Sequence, residues 1–243
     1  MPDLVQMPLA VHNLHGGAEK NKDRRERIID RFLNASHQGI GGCNELNRHD
    51  RKYFKSKAGK LGLRYKIQDN NAAVWDSKLI KVNKTRVRKI MSGGYVGADG
   101  VATARVGDDD RRVGPNRYAL YLTCTVRANN LDFELVITHL MAKSFTQHRW
   151  RIPLLRKSVK KLSAGIKSKN GLLVGDMNSK EYIDLPDVLD VAEKTPPTHG
   201  NRRYDQIIRW GPQIDVVKVH DTSTASDHDM LLGIVKFYKG IRR

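Results

Sequence analysis

The sequence predicts an α/β protein of the α+β type, held in one domain over residues 1–243, and three observations carry that reading. Short apolar runs such as Leu9-Ala10-Val11, Leu172-Leu173-Val174 and Ile207-Ile208 recur at strand length, each bounded by polar or glycine residues. Three longer stretches carry apolar residues at helical spacing instead. Neither an internal repeat nor a Pro/Ser-rich linker divides the chain, and 243 residues can bury one large core without disulfide staples.

Leu9 to Leu14 reads as a first strand with Asn13 near its end. Ala18 to Asn34 follows as a helix, with Ile28, Ile29, Phe32 and Leu33 on one face and charged residues on the other. Gly39 to Glu45 reads as a strand weakened by three glycines and ending on Glu45, and Asn44 or Glu45 is placed to open the next helix, which Gly59 and Gly62 break. Ala72–Trp75 and Leu79–Val82 flank Asp76-Ser77 as adjacent strands or a hairpin. Ser92 to Asn116 is rich in Gly and Asp, and its Asp108-Asp109-Asp110 run fits a solvated loop tip better than a cation site.

Arg117–Val126 and Leu131–Leu140 read as two long strands about the turn Ala128-Asn129-Asn130. An amphipathic helix from Arg151 to Ile166 turns Leu155, Val159, Leu162 and Ile166 inward. The strand Gly171–Asp176 then delivers Asp176 and Asn178, two residues apart and on one face if strand geometry persists. An acidic segment (Glu181–Glu193) and Pro196-Pro197-Thr198-His199-Gly200 separate it from strands at Tyr204–Trp210, Ile214–Val219 and Met230–Phe237, the last preceded by Ser226-Asp227-His228-Asp229.

Lys and Arg total 44 against 26 Asp and Glu, a net +18 spread along the chain, which favours a polyanionic partner, nucleic acid first. No window approaches the ~20 apolar residues of a membrane span, and no basic amphipathic helix with an aromatic face suits a membrane surface. Met1–Ala10 lacks the features of a secretory signal, and Cys43 and Cys124 sit in apolar contexts with no zinc spacing. A cytoplasmic monomer is expected, with a phage or bacterial origin in keeping with the size and charge.

The strand ends together carry Asn13, Glu45, His139, Asp176, Asn178, Asp205, Asp227 and His228. Taken singly, each has a plainer reading: a turn residue, a charge at a helix N-terminus, a hydrogen-bonded core histidine, a cap. Together they contain the parts for metal-assisted phosphodiester hydrolysis. Carboxylates suit a hard cation that keeps some of its water, a histidine beside an aspartate can take a proton from water near neutral pH, and asparagines donate to phosphate without adding charge.

The order of these motifs resembles the endonuclease/exonuclease/phosphatase superfamily, in particular its deoxyribonuclease I-like branch. The likeness runs from Leu9 to Phe237 through Val-His-Asn13-Leu-His-Gly, Gly-Gly-Cys-Asn-Glu45, Thr-His139-Leu, Gly-Asp176-Met-Asn178, Tyr-Asp205-Gln-Ile-Ile and Ser-Asp227-His228. The resemblance implies a four-layered α/β/β/α sandwich and a magnesium-dependent nuclease, with manganese or calcium as alternative ions. It implies that Glu45 ligates the metal with Asp227 or Asp176, that His228 is the general base oriented by Asp205, and that Asn13, Asn178 and His139 hold the scissile phosphate. His139 would also serve the leaving oxygen, and Asp176 would position the nucleophile or share the metal. The implied reaction is in-line attack of water on DNA. A phosphatase or lipid phosphodiesterase of the same fold is the alternative, although the tryptophan common before Gly-Asp-x-Asn in inositol phosphatases is replaced by Leu173-Val174. A non-catalytic DNA-binding module ranks last.

Two departures stand out. Deoxyribonuclease I pairs the histidine corresponding to His139 with an acidic residue on the preceding strand, yet Arg111 to Leu131 contains no Asp or Glu. The glutamine usual before the metal glutamate is replaced by Asn44.

Overall fold

The computed structural model describes residues 3–14, 21–92, 94–96, 102–103, 111–114, 116–140, 151–178, 204–222 and 228–240. Strands β1 (Leu4–Asn13) and β2 (Ile40–Asn44) lie parallel, joined by helix α1 (Lys22–Ala35). Helix α2 (Arg51–Lys60) leads to β3 (Leu63–Gln68) and β4 (Asn71–Asp76), and with β13 (Ile214–Thr222) and β14 (Met230–Tyr238) these strands form a six-stranded sheet in the order β13-β14-β1-β2-β4-β3. A second sheet has the order β12-β11-β10-β9-β5, from β5 (Ile80–Met91), β9 (Arg117–Val126), β10 (Leu131–Thr138), β11 (Gly171–Asp176) and β12 (Asp205–Trp210). Between β5 and β9 the chain forms a small sheet from β6 (Gly94–Val96), β7 (Ala102–Thr103) and β8 (Arg111–Gly114).

Period-2 alternation gives each large sheet two apolar faces, which requires four layers. Met7, Leu9 and Val11 from the first sheet meet Leu120, Leu122, Leu135, Ile137, Leu172 and Val174 from the second in one buried cluster. On the outer face of the first sheet, α1 and α2 bury Ile28, Ile29, Phe32, Leu33, Phe54 and Ala58. Helix α3 (Arg151–Ser163) covers the outer face of the second with Val159 and Leu162, beside half-buried Leu155 and Ile166. The result is the α/β/β/α sandwich.

The glycines of β2 are a packing requirement rather than a weakness. A Cβ on Gly42 would stand 2.5 Å from Val174 Cγ2 of the facing sheet, and one on Gly41 would stand 2.2 Å from Ser36 Oγ. Bare backbone lets the two layers close at this point.

Three expectations are corrected. Helix α2 does not open at Asn44 or Glu45: Asn44 closes β2, and the Asn47 side chain accepts from the His49 N–H to start a single 3-10 turn (Arg48–Asp50) ahead of α2. Gly59 lies inside α2, and the chain turns instead at Gly62, where φ is +71°. Segments 72–75 and 79–82 are not a hairpin, because β4 pairs with β2 and β3 whereas β5 crosses to the other sheet and pairs with β9. The Asp108–Asp110 run, the acidic segment 181–193 and the Pro-rich stretch 196–200 lie outside the described residues.

Cys43 and Cys124 are buried free thiols, and desolvation pushes both pKa values up. No helix among the described residues is long and apolar enough to cross a membrane.

Candidate active site

Two parallel strand pairs aim their C-terminal ends at one edge of the sandwich. Asn13 ends β1 in register with Asn44 of β2, and Glu45 follows directly. On the facing sheet His139 follows β10, and Asp176 ends β11. The antiparallel neighbours add their N-terminal ends: Asp205 opens β12 in register with Asp176, and His228 lies two residues before β14. The backbone of Glu45 (φ 57°) and Asn178 (φ 49°) sits in the left-handed region that side chains enter at a cost, a conformation concentrated at functional sites.

The side chains form a connected set. Asn13 Nδ2 donates to Asp176 Oδ2 at 2.9 Å and reaches Glu45 Oε1 at 3.4 Å, bridging the carboxylates of the two sheets. Asp176 and Asn178 are not joined by strand alternation, since β11 ends at Asp176; instead the Asn178 N–H donates back to Asp176 Oδ1 at 2.8 Å. His228 Nδ1 lies 2.5 Å from Asp205 Oδ2, an aspartate with no exposed surface. A donor at Nδ1 fixes the neutral ring with Nε2 as the acceptor.

Asn44 works behind this set. Its Oδ1 accepts from the Asp176 N–H at 2.7 Å, its Nδ2 donates to Asn71 Oδ1 at 2.8 Å, and Asn71 Nδ2 donates to Tyr118 O at 2.9 Å. A buried chain of amides thus ties β11 to β2, β4 and β9 directly below Asp176. Gly175 makes room for it, with φ +132° and a would-be Cβ 2.1 Å from Thr138 O and 2.6 Å from Asn44 Oδ1.

Burial and the nearby Asp205 charge raise the Asp176 pKa to about 7, against the lowering effects of His228, the Asn178 N–H and Asn13. His139 is held well below the usual histidine value by burial, and further by Arg117 and His228. The Arg117 Nη1 contacts His139 Nδ1 at 3.0 Å, so the expected acidic partner is replaced by a cation. The Arg117 pKa is itself lowered by burial, in part offset by Glu45 and Asp176.

Among the described residues, two groups bring metal-ligating atoms within 4.8 Å of one another: Glu45, His139 and Asp176, and Asp176, Asp205 and His228. Arg117 can only donate, so His139 must accept at Nδ1 and carry its hydrogen on Nε2, the atom facing Glu45 and Asp176 at 3.8 and 3.5 Å. A protonated nitrogen cannot ligate a cation. Oxygen donors from Glu45 and Asp176 remain, and the Glu45 side chain is 27% exposed, which leaves room for the water a hard divalent ion retains. The set therefore fits such an ion.

Beside His139 lies a cleft of about 360 Å3 whose lining includes Arg48, Asn70, Asn116, Arg117 and Tyr118. Of the residues expected at the site, Asn13, Glu45, His139, Asp176, Asn178, Asp205 and His228 gather at this edge, and Asp227 lies outside the described residues. Sequence reasoning missed the structural work of Asn44 and the whole contribution of Arg117. The only signal for either was the pair of departures from the family pattern.

No protein-family model matches the chain, and no curated protein matches it in sequence. Solved structures do match. The endonuclease/exonuclease/phosphatase from Bacteroides vulgatus superposes with TM-score 0.71 at 13% identity, over 96% of this chain and 99% of that one. The human Nocturnin catalytic domain with bound sulfate anion gives 0.71 at 16% identity, over 97% and 96%. D. rerio TDP2 complexed with single strand DNA product gives 0.67 at 14% identity, over 95% and 98%.

Proposed function

The chain carries the endonuclease/exonuclease/phosphatase fold, and from that premise we propose that it is a magnesium-dependent phosphodiester hydrolase that cuts nucleic acid, DNA first. The observation that carries the reading is the His228–Asp205 pair at 2.5 Å set at the same strand edge as the Glu45 and Asp176 carboxylates. The histidine would take a proton and the carboxylates, which Asn13 links, would hold a cation.

Glu45 and Asp176 would hold the ion, with Asp227 as a further candidate; the ion would supply charge neutralisation at the phosphate. The chain's own groups do the rest. Asp205 holds the His228 ring by its Nδ1–H, so Nε2 can accept the proton of an attacking water, and the aspartate stabilises the imidazolium that forms. His139 donates from Nε2 to a phosphate oxygen, and Asn13 and Asn178 supply neutral donors beside it. Buried Asp205 and Asp176 concentrate negative charge that favours a proton arriving on His228.

The polyanion preference rests on a surface. Edge strand β5 exposes Lys81, Lys84, Arg88 and Lys89, and α3, which packs against it, exposes Arg156, Lys157 and Lys160. Lys84 and Arg88, four residues apart on one strand, stand roughly 13 Å apart and offer cations to a phosphate backbone without reading bases. The likeness to Nocturnin with a bound sulfate anion and to TDP2 complexed with a single strand DNA product supports an anionic, nucleic-acid substrate.

The test is parallel incubation with supercoiled plasmid, single-stranded DNA, RNA and a soluble inositol phosphate, each in magnesium. Cleavage of DNA with the inositol substrate intact is expected. Phosphate release from the inositol substrate with intact nucleic acid would overturn the proposal.

A further inference from the structure

Arg117 opens β9 and its guanidinium reaches the ring of His139, which follows β10; the two strands are antiparallel neighbours, with Thr138 opposite Ala119. The contact is Nη1 to Nδ1 at 3.0 Å. A guanidinium presents five N–H groups and no acceptor, so this bond exists only with the lone pair on Nδ1 and the hydrogen on Nε2. A carboxylate in the same place would demand the reverse, and residues 111 to 131 contain none.

The other side of the ring agrees. His139 Nε2 is buried and makes no hydrogen bond among the described residues, although it stands 3.5 Å from Asp176 Oδ2 and 3.8 Å from Glu45 Oε1. Buried N–H groups are rarely left unpaired, and those that are call for a ligand or a functional explanation. Arg117 Nε is likewise buried and unpaired among the described residues, and both side chains line the cleft beside the site. Burial works against the Arg117 charge, and the Glu45 and Asp176 carboxylates offset part of that cost.

We propose that Arg117 is a positioning residue: it fixes His139 in the tautomer that carries hydrogen on Nε2 and aims that N–H, as a donor, at an anionic oxygen of the substrate. His139 is therefore a donor to the phosphate rather than a metal ligand, and Arg117 acts through it. The role toward substrate rests on the phosphodiesterase reading above; the tautomer does not.

The direct test is long-range proton–nitrogen NMR of metal-free, 15N-histidine-labelled protein, with His139 assigned by its loss in His139→Gln. Wild type should show a pyridine-type Nδ1 and a pyrrole-type Nε2 for this ring. Hydrogen on Nδ1 in wild type overturns the proposal without recourse to any variant's folding. Arg117→Lys keeps a donor-only group and should keep the pattern, whereas Arg117→Glu supplies an acceptor and should reverse it. An unchanged spectrum in folded Arg117→Glu overturns it too. On a cleaved substrate, Arg117→Ala should lower kcat about 10- to 100-fold, in the range typical of groups that orient an active-site histidine, with KM changed less and Arg117→Lys recovering most of the loss. If no substrate is cleaved the phosphodiesterase reading fails, while the spectrum still decides the tautomer.

Discussion

Asn44→Ala removes the amide that joins the two sheets beneath the site, and the structure sets what it should cost. The wild-type side chain is fully buried, accepts from the Asp176 N–H at 2.7 Å and donates to Asn71 Oδ1 at 2.8 Å. Alanine strands both partners. Asp176 and Asn71 are 2% and 5% exposed, so water does not readily replace the lost amide. At about 1–3 kcal/mol for each buried group left unsatisfied, the loss is about 2–6 kcal/mol. A domain of this size loses roughly 2–4 °C of Tm per kcal/mol, so a fall of about 4–24 °C is expected by circular dichroism. Urea unfolding at pH 7 without metal should show the same loss as a lower midpoint at similar slope. A solvated substitution such as Lys81→Ala should stay within about 0.5 kcal/mol of wild type and serves as the reference. A loss below about 0.5 kcal/mol in Asn44→Ala would refute the claim that this amide chain holds β11 to β2, since a structural bond of that burial cannot be so cheap.

Two further predictions follow from charge. The Asp176 pKa rises from 3.8 to about 7, so the proton is bound more tightly in the fold than in the unfolded chain. Its contribution to stability is full below about pH 4 and is lost as pH rises toward 7 in metal-free protein; the stability difference between wild type and Asp176→Asn should change across that window, and a pH-independent difference would contradict it. On the surface, replacing Lys84, Arg88, Lys157 and Lys160 by alanine should flatten the log–log salt dependence of DNA binding by about 2–4 in slope while cleavage of a short oligonucleotide persists. An unchanged slope would place the nucleic-acid path elsewhere.

Much of this architecture was legible because local pattern and tertiary burial agree. Ile28, Ile29, Phe32 and Leu33 are spaced for a helix and are the buried residues of α1, and the turn at residues 128–130 does join two antiparallel strands. Strand β3 escaped notice because it is an edge strand with Leu63 alone of its residues buried and Tyr65 exposed, which leaves little apolar alternation to read. The supposed hairpin at 72–82 failed for a different reason: two apolar strands in sequence do not declare which sheet each joins, and β5 leaves its neighbour for the opposite layer. At the site, Glu45, Asp176, Asp205 and His228 could be named because each lies within two residues of a strand end. Arg117 could not, since one arginine at a strand start in a chain of net charge +18 looks like every other solvated cation, and only the fold brings it to His139.

The central claim is that His228, held by Asp205, takes the proton from an attacking water beside a metal bound by Glu45 and Asp176. It is tested most directly by single-turnover cleavage of a DNA duplex by His228→Ala at saturating protein, in magnesium and in EDTA, alongside wild type. The account predicts metal-dependent cleavage in wild type, a rate about 10^2- to 10^4-fold lower in the variant, and DNA binding unchanged between the two. Cleavage at the wild-type rate in His228→Ala, or undiminished in EDTA, would contradict it.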